Sequence, residues 1–373
     1  MIRAVLLSVL VPFAALAEDA GFPDDAGVEL ACDAGVLLAA ADDEAAEEEG
    51  EDAAEPGDGE LADPRAEALN ANGILYSTDL SDEDLLKIWT EEPSKLGSIS
   101  VGLVEAGRLI NGVPMPTGDA WSIVDPQNAF GTHETVEFIQ AAANAVRAQF
   151  EKAPALRINH IGKASGGYIR PHQSHQAGRD VDLGFYYPLG EDPGRLSKKR
   201  ELAMDLAMNW ALVKSLITTA DVQFILVDKR IQARLYDFAL KQGEDKAWLD
   251  KLFRAGFASL IRHARGHRDH FHVRFYSGRS QELGRRIQPL LAKQPEQNLV
   301  IHRVKKGDTL GGLAAKYNSG VKMIQKANGM TSTALRVGRT LNIPLRGPCT
   351  NCPVAPPLVV PPRCLPPEPP PES

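Results

Sequence analysis

The 373-residue chain predicts an α+β protein: a small antiparallel sheet with flanking helices, a separate compact βααβ unit, and disordered segments at both ends. Three observations lead there. Apolar residues recur at helical spacing through Glu134–Phe150 (Val136, Ile139, Ala142, Ala143, Val146, Phe150) and again over Ala203–Ile217. Short apolar runs at Phe224–Val227 and His272–Tyr276 read as strands. Residues 301–346 carry their own punctuation, with a strand at Ile301–Val304, a helix capped by Asp308 or Thr309 and running to Tyr317, a second helix at Val321–Asn328, and a strand at Thr340–Ile343 stopped by Pro344.

The remaining segments follow from composition. Arg3, the apolar run Ala4–Phe13 and Ala15-Leu16-Ala17 read as a signal peptide over 1–17, so the chain is expected to be exported or periplasmic. No stretch is long and apolar enough to span a bilayer. Residues 18–65, rich in Ala, Asp, Glu and Gly, cannot bury enough apolar surface to order themselves and read as an acidic spacer. The body runs from 66 to 282, a linker from 283 to 299, and the βααβ unit from 300 to 346. A tail over 347–373, with eleven prolines, favours an extended, polyproline-like path.

The net charge of −8 conceals a division. Eighteen of the 49 acids fall within 18–63, where there is no Lys or Arg, and only Arg3 of the 41 bases precedes them; 31 acids and 40 bases remain from residue 64 onward. A basic body suits an anionic polymer, either cell wall or nucleic acid. Cys32, Cys349, Cys352 and Cys364 all lie outside the expected core; Cys349 and Cys352 suit a local or intermolecular disulfide in an exported chain.

Chemistry concentrates in two short windows that hold six of the nine histidines: His172 and His175, then His263, His267, His270 and His272. Burying so many imidazoles without a metal or carboxylate partners is costly. In an extended strand alternate side chains share a face, which places His270 with His272 and Asp180 with Asp182, backed by Phe271, Val273, Val181 and Leu183. The Ser174–Gly178 turn returns His175 to the side of Asp182. His175, Asp182 and His272 are thus the expected ligands of a zinc ion, three protein ligands being the number that leaves a position for water.

With these residues in order the chain resembles the penicillin-insensitive murein endopeptidases, within the lysostaphin-like and D-Ala-D-Ala metallopeptidases. The wider group shows H-x6-D followed by H-x-H, here His175 to Asp182 and His270 to His272. The narrower match rests on Leu109–Val113, Ser165-Gly166-Gly167, His172-x-x-His175-x-x-Gly178-x-Asp180-x-Asp182 and Gly266-His267-x-x-His270-x-His272. The resemblance implies zinc on His175, Asp182 and His272, His270 as general base and His267 near the oxyanion, with hydrolysis of the D-alanyl-to-diaminopimelyl cross-links of peptidoglycan. Asp180 and Asp269 are candidates for orienting ligand imidazoles. His172 stands either behind the ligands or in the turn, and Ser165, Tyr168, Arg170 and His172 are expected along the substrate groove.

The later unit resembles a LysM domain, from His302-Arg303-Val304-x-x-Gly307-Asp308-Thr309-Leu310 through Ile324, Asn328, Gly338, Leu341 and Ile343-Pro344. That resemblance implies binding of N-acetylglucosamine-containing glycan in a groove formed by Gly307, Asp308, Thr309 and Leu310 with Gly329–Thr333. Peptidoglycan is therefore the expected partner, with no nucleic acid and no membrane span. A D,D-carboxypeptidase, a non-catalytic wall-binding protein with a structural zinc and a nuclease are the rival readings. The histidines beyond the three ligands argue against a closed structural site, which normally uses four protein ligands.

Overall fold

The structure, a computed structural model, describes residues 80–189 and 200–368, with the backbone of Ile74–Leu75. The signal peptide expected at 1–17 and the acidic spacer at 18–65 lie outside the described residues. Among the described residues the first helix is α1 (Asp82–Glu91), whose N-terminus is capped by Ser81 accepting the Asp84 N–H and carries three acids against the positive end of the helix dipole. A hairpin of β1 (Ile99–Leu103) and β2 (Ala106–Ile110) follows. Then come β3 (Trp121–Ile123), α2 (His133–Gln149), β4 (Leu156–Ile158), β5 (Asp180–Gly184), α3 (Leu206–Thr219), β6 (Val222–Val227), α4 (Lys229–Lys241), α5 (Lys246–Phe253), β7 (Ile261–His263), β8 (His270–Phe275) and α6 (Gly278–Ile287).

Six of these strands form one mixed sheet in the order β7-β6-β8-β5-β4-β3. The middle four are antiparallel to one another, while β7 and β3 run parallel to their neighbours. The alternation expected for β5 and β8 is realised. Val181 and Leu183 of β5 and Phe271, Val273 and Phe275 of β8 share a core with Val136, Ile139, Ala143 and Val146 of α2 and Leu212, Val213 and Leu216 of α3. Each such buried Val, Leu, Ile or Phe side chain stabilises the fold by about 1.5–3 kcal/mol. The register sets His272 opposite Asp182 and Arg274 opposite Asp180, so the other face of the same two strands is left to polar groups.

A second core joins Leu85, Trp89, Ile99, Val101 and Ile110 to Leu283, Ile287 and Leu291. The expected linker over 283–299 is corrected here, because α6 and a 3-10 turn carry the chain in regular structure to Lys293. Leu283, Ile287 and Leu291 recur every four residues, which is one face of a helix, and that face is buried. At Gly284 a Cβ would stand 1.8 Å from the Ser100 carbonyl oxygen, so only glycine allows α6 to lie on β1.

The βααβ unit forms as expected from β9 (Leu299–Arg303), α7 (Leu310–Lys316), α8 (Val321–Ala327) and β10 (Thr340–Pro344). Its core is Val304, Leu310, Leu313, Ile324, Leu341 and Ile343. The unit is docked on the body rather than strung from it. Ile301 packs against Gly167 so closely that a Cβ there would meet it at 2.7 Å, and the Arg303 guanidinium lies 4.1 Å above the Tyr168 ring. Arg108 donates to the Gln297 carbonyl beside this seam, which encloses a cavity of about 650 Å³.

The Pro-rich segment is extended and anchored along the body. Val359–Val360 pairs with Ile74–Leu75, Trp248 donates to the Cys364 carbonyl, and Arg363 meets Asp221 at 2.7 Å. Cys349 and Cys352 are joined in a local disulfide. Among the described residues no helix is long and apolar enough to cross a membrane.

Candidate metal centre

The polar face of β5 and β8 gathers His175, Asp182 and His272, all buried. Two are delivered by strand register. His175 arrives from the Ser174–Gly178 turn, where it adopts a left-handed conformation at φ 66°. Three bonds hold that turn: Asp180 accepts the His175 main-chain N–H at 3.0 Å, Gln176 N–H donates to the Val104 carbonyl, and Gly178 O accepts from Thr132.

Asp182 Oδ1 is the meeting point. It lies 3.3 Å from His175 Nε2 and 3.1 Å from His272 Nδ1. Two donors each about 2.05 Å from a tetrahedral zinc stand about 3.3 Å apart, so both distances fit neighbouring ligands on one ion, and the shorter also makes a hydrogen bond between His272 and Asp182. His175 Nδ1–H donates to the Ile161 carbonyl at 3.0 Å, which fixes the tautomer and turns the Nε2 lone pair inward. Nε2 itself has no aligned hydrogen bond despite complete burial. Among the described residues only imidazoles face the Asp182 charge, at 4.0 Å or less. Burial opposes it, but the His175 imidazole beside it and the hydrogen bond from His272 hold the carboxyl well below the usual range. Burial likewise opposes a charge on His175, and Asp182 overrides it, pushing the imidazole up to about 9. A buried carboxylate so placed draws a cation to itself, and the residues fit a divalent one.

His270 sits at the rim. Its Nδ1–H donates to Asp269 at 2.8 Å and its Nε2 lies 3.9 Å from Asp182 Oδ1. His267 is 1% exposed and packs beside His270 and His272, with ring centroids 4.8 and 5.9 Å away. Burial first, then its two histidine neighbours, push it down to about 3, so it is neutral at physiological pH. Asp180 stands 3.9 Å from His272 Nε2 through its Oδ1, beyond hydrogen-bond reach of that ring. It holds the His175 main chain and is itself gripped by Arg274, Nε to Oδ1 at 2.7 Å.

The expected groove residues separate. Ser165 and Arg170 lie exposed on the loop before His175, whereas Tyr168 is buried under Arg303 with its hydroxyl donating to the Pro171 carbonyl. His172 is buried beside Asp182 Oδ2 at 3.5 Å, and burial pushes it down to about 3. Sequence reasoning missed His160, whose Nδ1 lies 3.0 Å from His172 Nε2, and Asp125, 3.6 Å from His160 Nε2. Main-chain pairing puts His160 there, because the Asp182 N–H donates to its carbonyl.

In the βααβ unit, Asp308 and Thr309 face a cavity of about 460 Å³ together with Leu310, Gly311, Val321, Thr333 and Leu335, joining the two loops expected to form a groove. Thr309 also caps α7 by accepting the Gly312 N–H, Asp308 accepts from Lys305 N–H and meets His302 Nε2 at 2.8 Å, and Leu310 belongs to the core.

No curated protein was found to match the chain. The LysM domain model matches residues 302–344, and the model described as penicillin-insensitive murein endopeptidase matches residues 100–294, more than half of the sequence. The match to residues 100–294 contains both histidine windows, every residue of the metal group and the helix that replaces the expected linker. The chain belongs to the penicillin-insensitive murein endopeptidase family and carries a LysM domain.

Proposed function

We propose that the protein is an exported zinc D,D-endopeptidase that hydrolyses D-alanyl-to-diaminopimelyl cross-links in peptidoglycan, held to N-acetylglucosamine-containing glycan by its LysM domain. The observation that carries this reading is Asp182 Oδ1 flanked at ligand spacing by His175 Nε2 and His272 Nδ1, with a carboxylate-braced imidazole at the rim. Zinc on these three residues would polarise the scissile carbonyl and lower the pKa of the attacking water.

The chain's own residues do the rest. Because Asp269 accepts a hydrogen bond from His270 Nδ1–H, Nε2 of that ring is left as the base and accepts the proton of the attacking water; the same nitrogen then returns it to the leaving amine. His267 is neutral, its Nδ1–H points at the Arg265 carbonyl at 3.4 Å, and its ring stands beside His270 and His272, close to where the family resemblance places the oxyanion. Asp180 and Arg274 keep His175 in its strained conformation while this happens. The LysM cavity raises the local concentration of cross-links without adding contacts at the scissile bond.

Incubating purified sacculi with the zinc-loaded protein and separating the muropeptides should convert cross-linked dimers to monomers. Unchanged dimers overturn the endopeptidase reading, and release of free D-alanine from pentapeptide monomers replaces it with a carboxypeptidase.

A further inference from the structure

Asp182 has a second oxygen, and it faces a second pair of imidazoles. His172 Nε2 lies 3.5 Å from Asp182 Oδ2, while His160 Nδ1 lies 3.0 Å from His172 Nε2 and 4.0 Å from Oδ2. Hydrogen bonding explains only the His160–His172 edge of this triangle, since the other two are too long for it. A shared ion would draw the three atoms together, because donors about 2.05 Å from one tetrahedral centre stand about 3.3 Å apart: the 3.5 Å edge is close to that spacing, and the 4.0 Å edge reaches it by a side-chain shift of less than about 1 Å. The three atoms also lie within 4.8 Å of one another, as those of the first group do.

We propose that His160, His172 and Asp182 hold a second divalent cation of the zinc type, with the Asp182 carboxylate bridging the two ions through Oδ1 and Oδ2. The bridge rests on the reading that Asp182 is also a ligand in the first group. Two imidazoles and a carboxylate select a zinc-like ion over calcium or magnesium, which take oxygen donors. Asp125 Oδ2, 3.6 Å from His160 Nε2, stands where a carboxylate braces a ligating imidazole from behind. His175 and His272 have fully buried side chains, whereas that of His160 is 27% exposed, so the second ion exchanges with solvent more readily and is the weaker of the two.

The test counts ions. Full-length protein stripped by a chelator is dialysed against graded zinc chloride, and metal per chain is measured by atomic absorption, with circular dichroism confirming that each variant is folded. Wild type is expected to saturate at two ions, one tight and one weak. His160→Asn and His160→Gln should keep the tight ion and lose the weak one, and His175→Ala should show the reverse. Saturation of wild type at one ion, or His160 variants that still bind two, overturns the second site. A tight ion that survives in His175→Ala overturns the first group instead, so the two failures are distinguishable.

Discussion

Asp180 accepts the main-chain N–H of His175 at 3.0 Å while its carboxylate is held in a fork by Arg274, at 2.7 Å from Nε and 3.2 Å from Nη2. All three residues are buried. A non-glycine residue at positive φ costs about 1–3 kcal/mol and persists only where its surroundings impose it. Here the imposition comes from an ion pair on the two strands that also carry Asp182 and His272, so ligand geometry and sheet register are one structure.

Asp180→Ala leaves Arg274 buried without its counter-charge and the His175 N–H without an acceptor. Breaking a buried pair from one side costs about 3–5 kcal/mol. Thermal denaturation should show a large loss of stability, and zinc titration a 10- to 100-fold weaker first ion, the usual effect of losing a group behind a ligand. Asp180→Asn keeps an acceptor and should fall between. Unchanged zinc affinity in Asp180→Ala, with the protein still folded, removes the positioning role.

His270 and His272 are two residues apart on one face of β8 but are assigned different work. His270→Ala should retain zinc and lose at least about 100-fold in hydrolysis of sacculi, the low end of what a positioned general base contributes. His272→Ala should lose the metal and the activity together. Asp269→Asn, which weakens the brace on His270 Nδ1, should reduce kcat more than KM and leave zinc content unchanged. Metal analysis beside muropeptide rates checks all three, and equal zinc content in the two histidine variants would contradict the assignment.

Much of this centre was legible in the sequence because period-two alternation in two short segments dictates which side chains share a face. Val181, Leu183, Phe271 and Val273 fixed the buried side, and His270, His272, Asp180 and Asp182 necessarily took the other. The spacing of Leu283, Ile287 and Leu291 was equally available, and polar neighbours masked it as a linker. His160 was not legible. It stands alone in its segment, and only the pairing of its main chain with that of Asp182 brings it to the site. The cover over Tyr168 was not legible for a similar reason: Arg303 comes from another domain, and interdomain docking leaves no periodic mark.

That docking has a measurable consequence. Gly167 adopts φ 83° and has no room for a methyl group against Ile301. Overpacking costs about 1–3 kcal/mol, and positive φ adds strain for any other residue. Gly167→Ala should therefore loosen the seam, and limited proteolysis should cut faster within 294–298, releasing a LysM-containing fragment. Cleavage no faster than in wild type would show that the seam does not hold the LysM domain.

The LysM domain should also lose stability in acid through one identifiable contact. Asp308 accepts from His302 Nε2 at 2.8 Å and from the Lys305 N–H at 2.7 Å, and these hydrogen bonds, the first being the larger, hold its carboxyl below the ordinary value of 3.8. A group whose folded pKa is depressed stabilises the fold above its unfolded pKa and loses that contribution as pH falls through the folded one. The contribution should thus be complete at pH 6 and fade below about pH 4. Because Asp308 is partly exposed, its size is less than about 1 kcal/mol. Asp308→Asn should be less stable than wild type to urea at pH 6, with the gap narrowing as the pH is taken below about 4. A difference that stays constant across that range would assign the loss to packing and remove the titrating contact from the account.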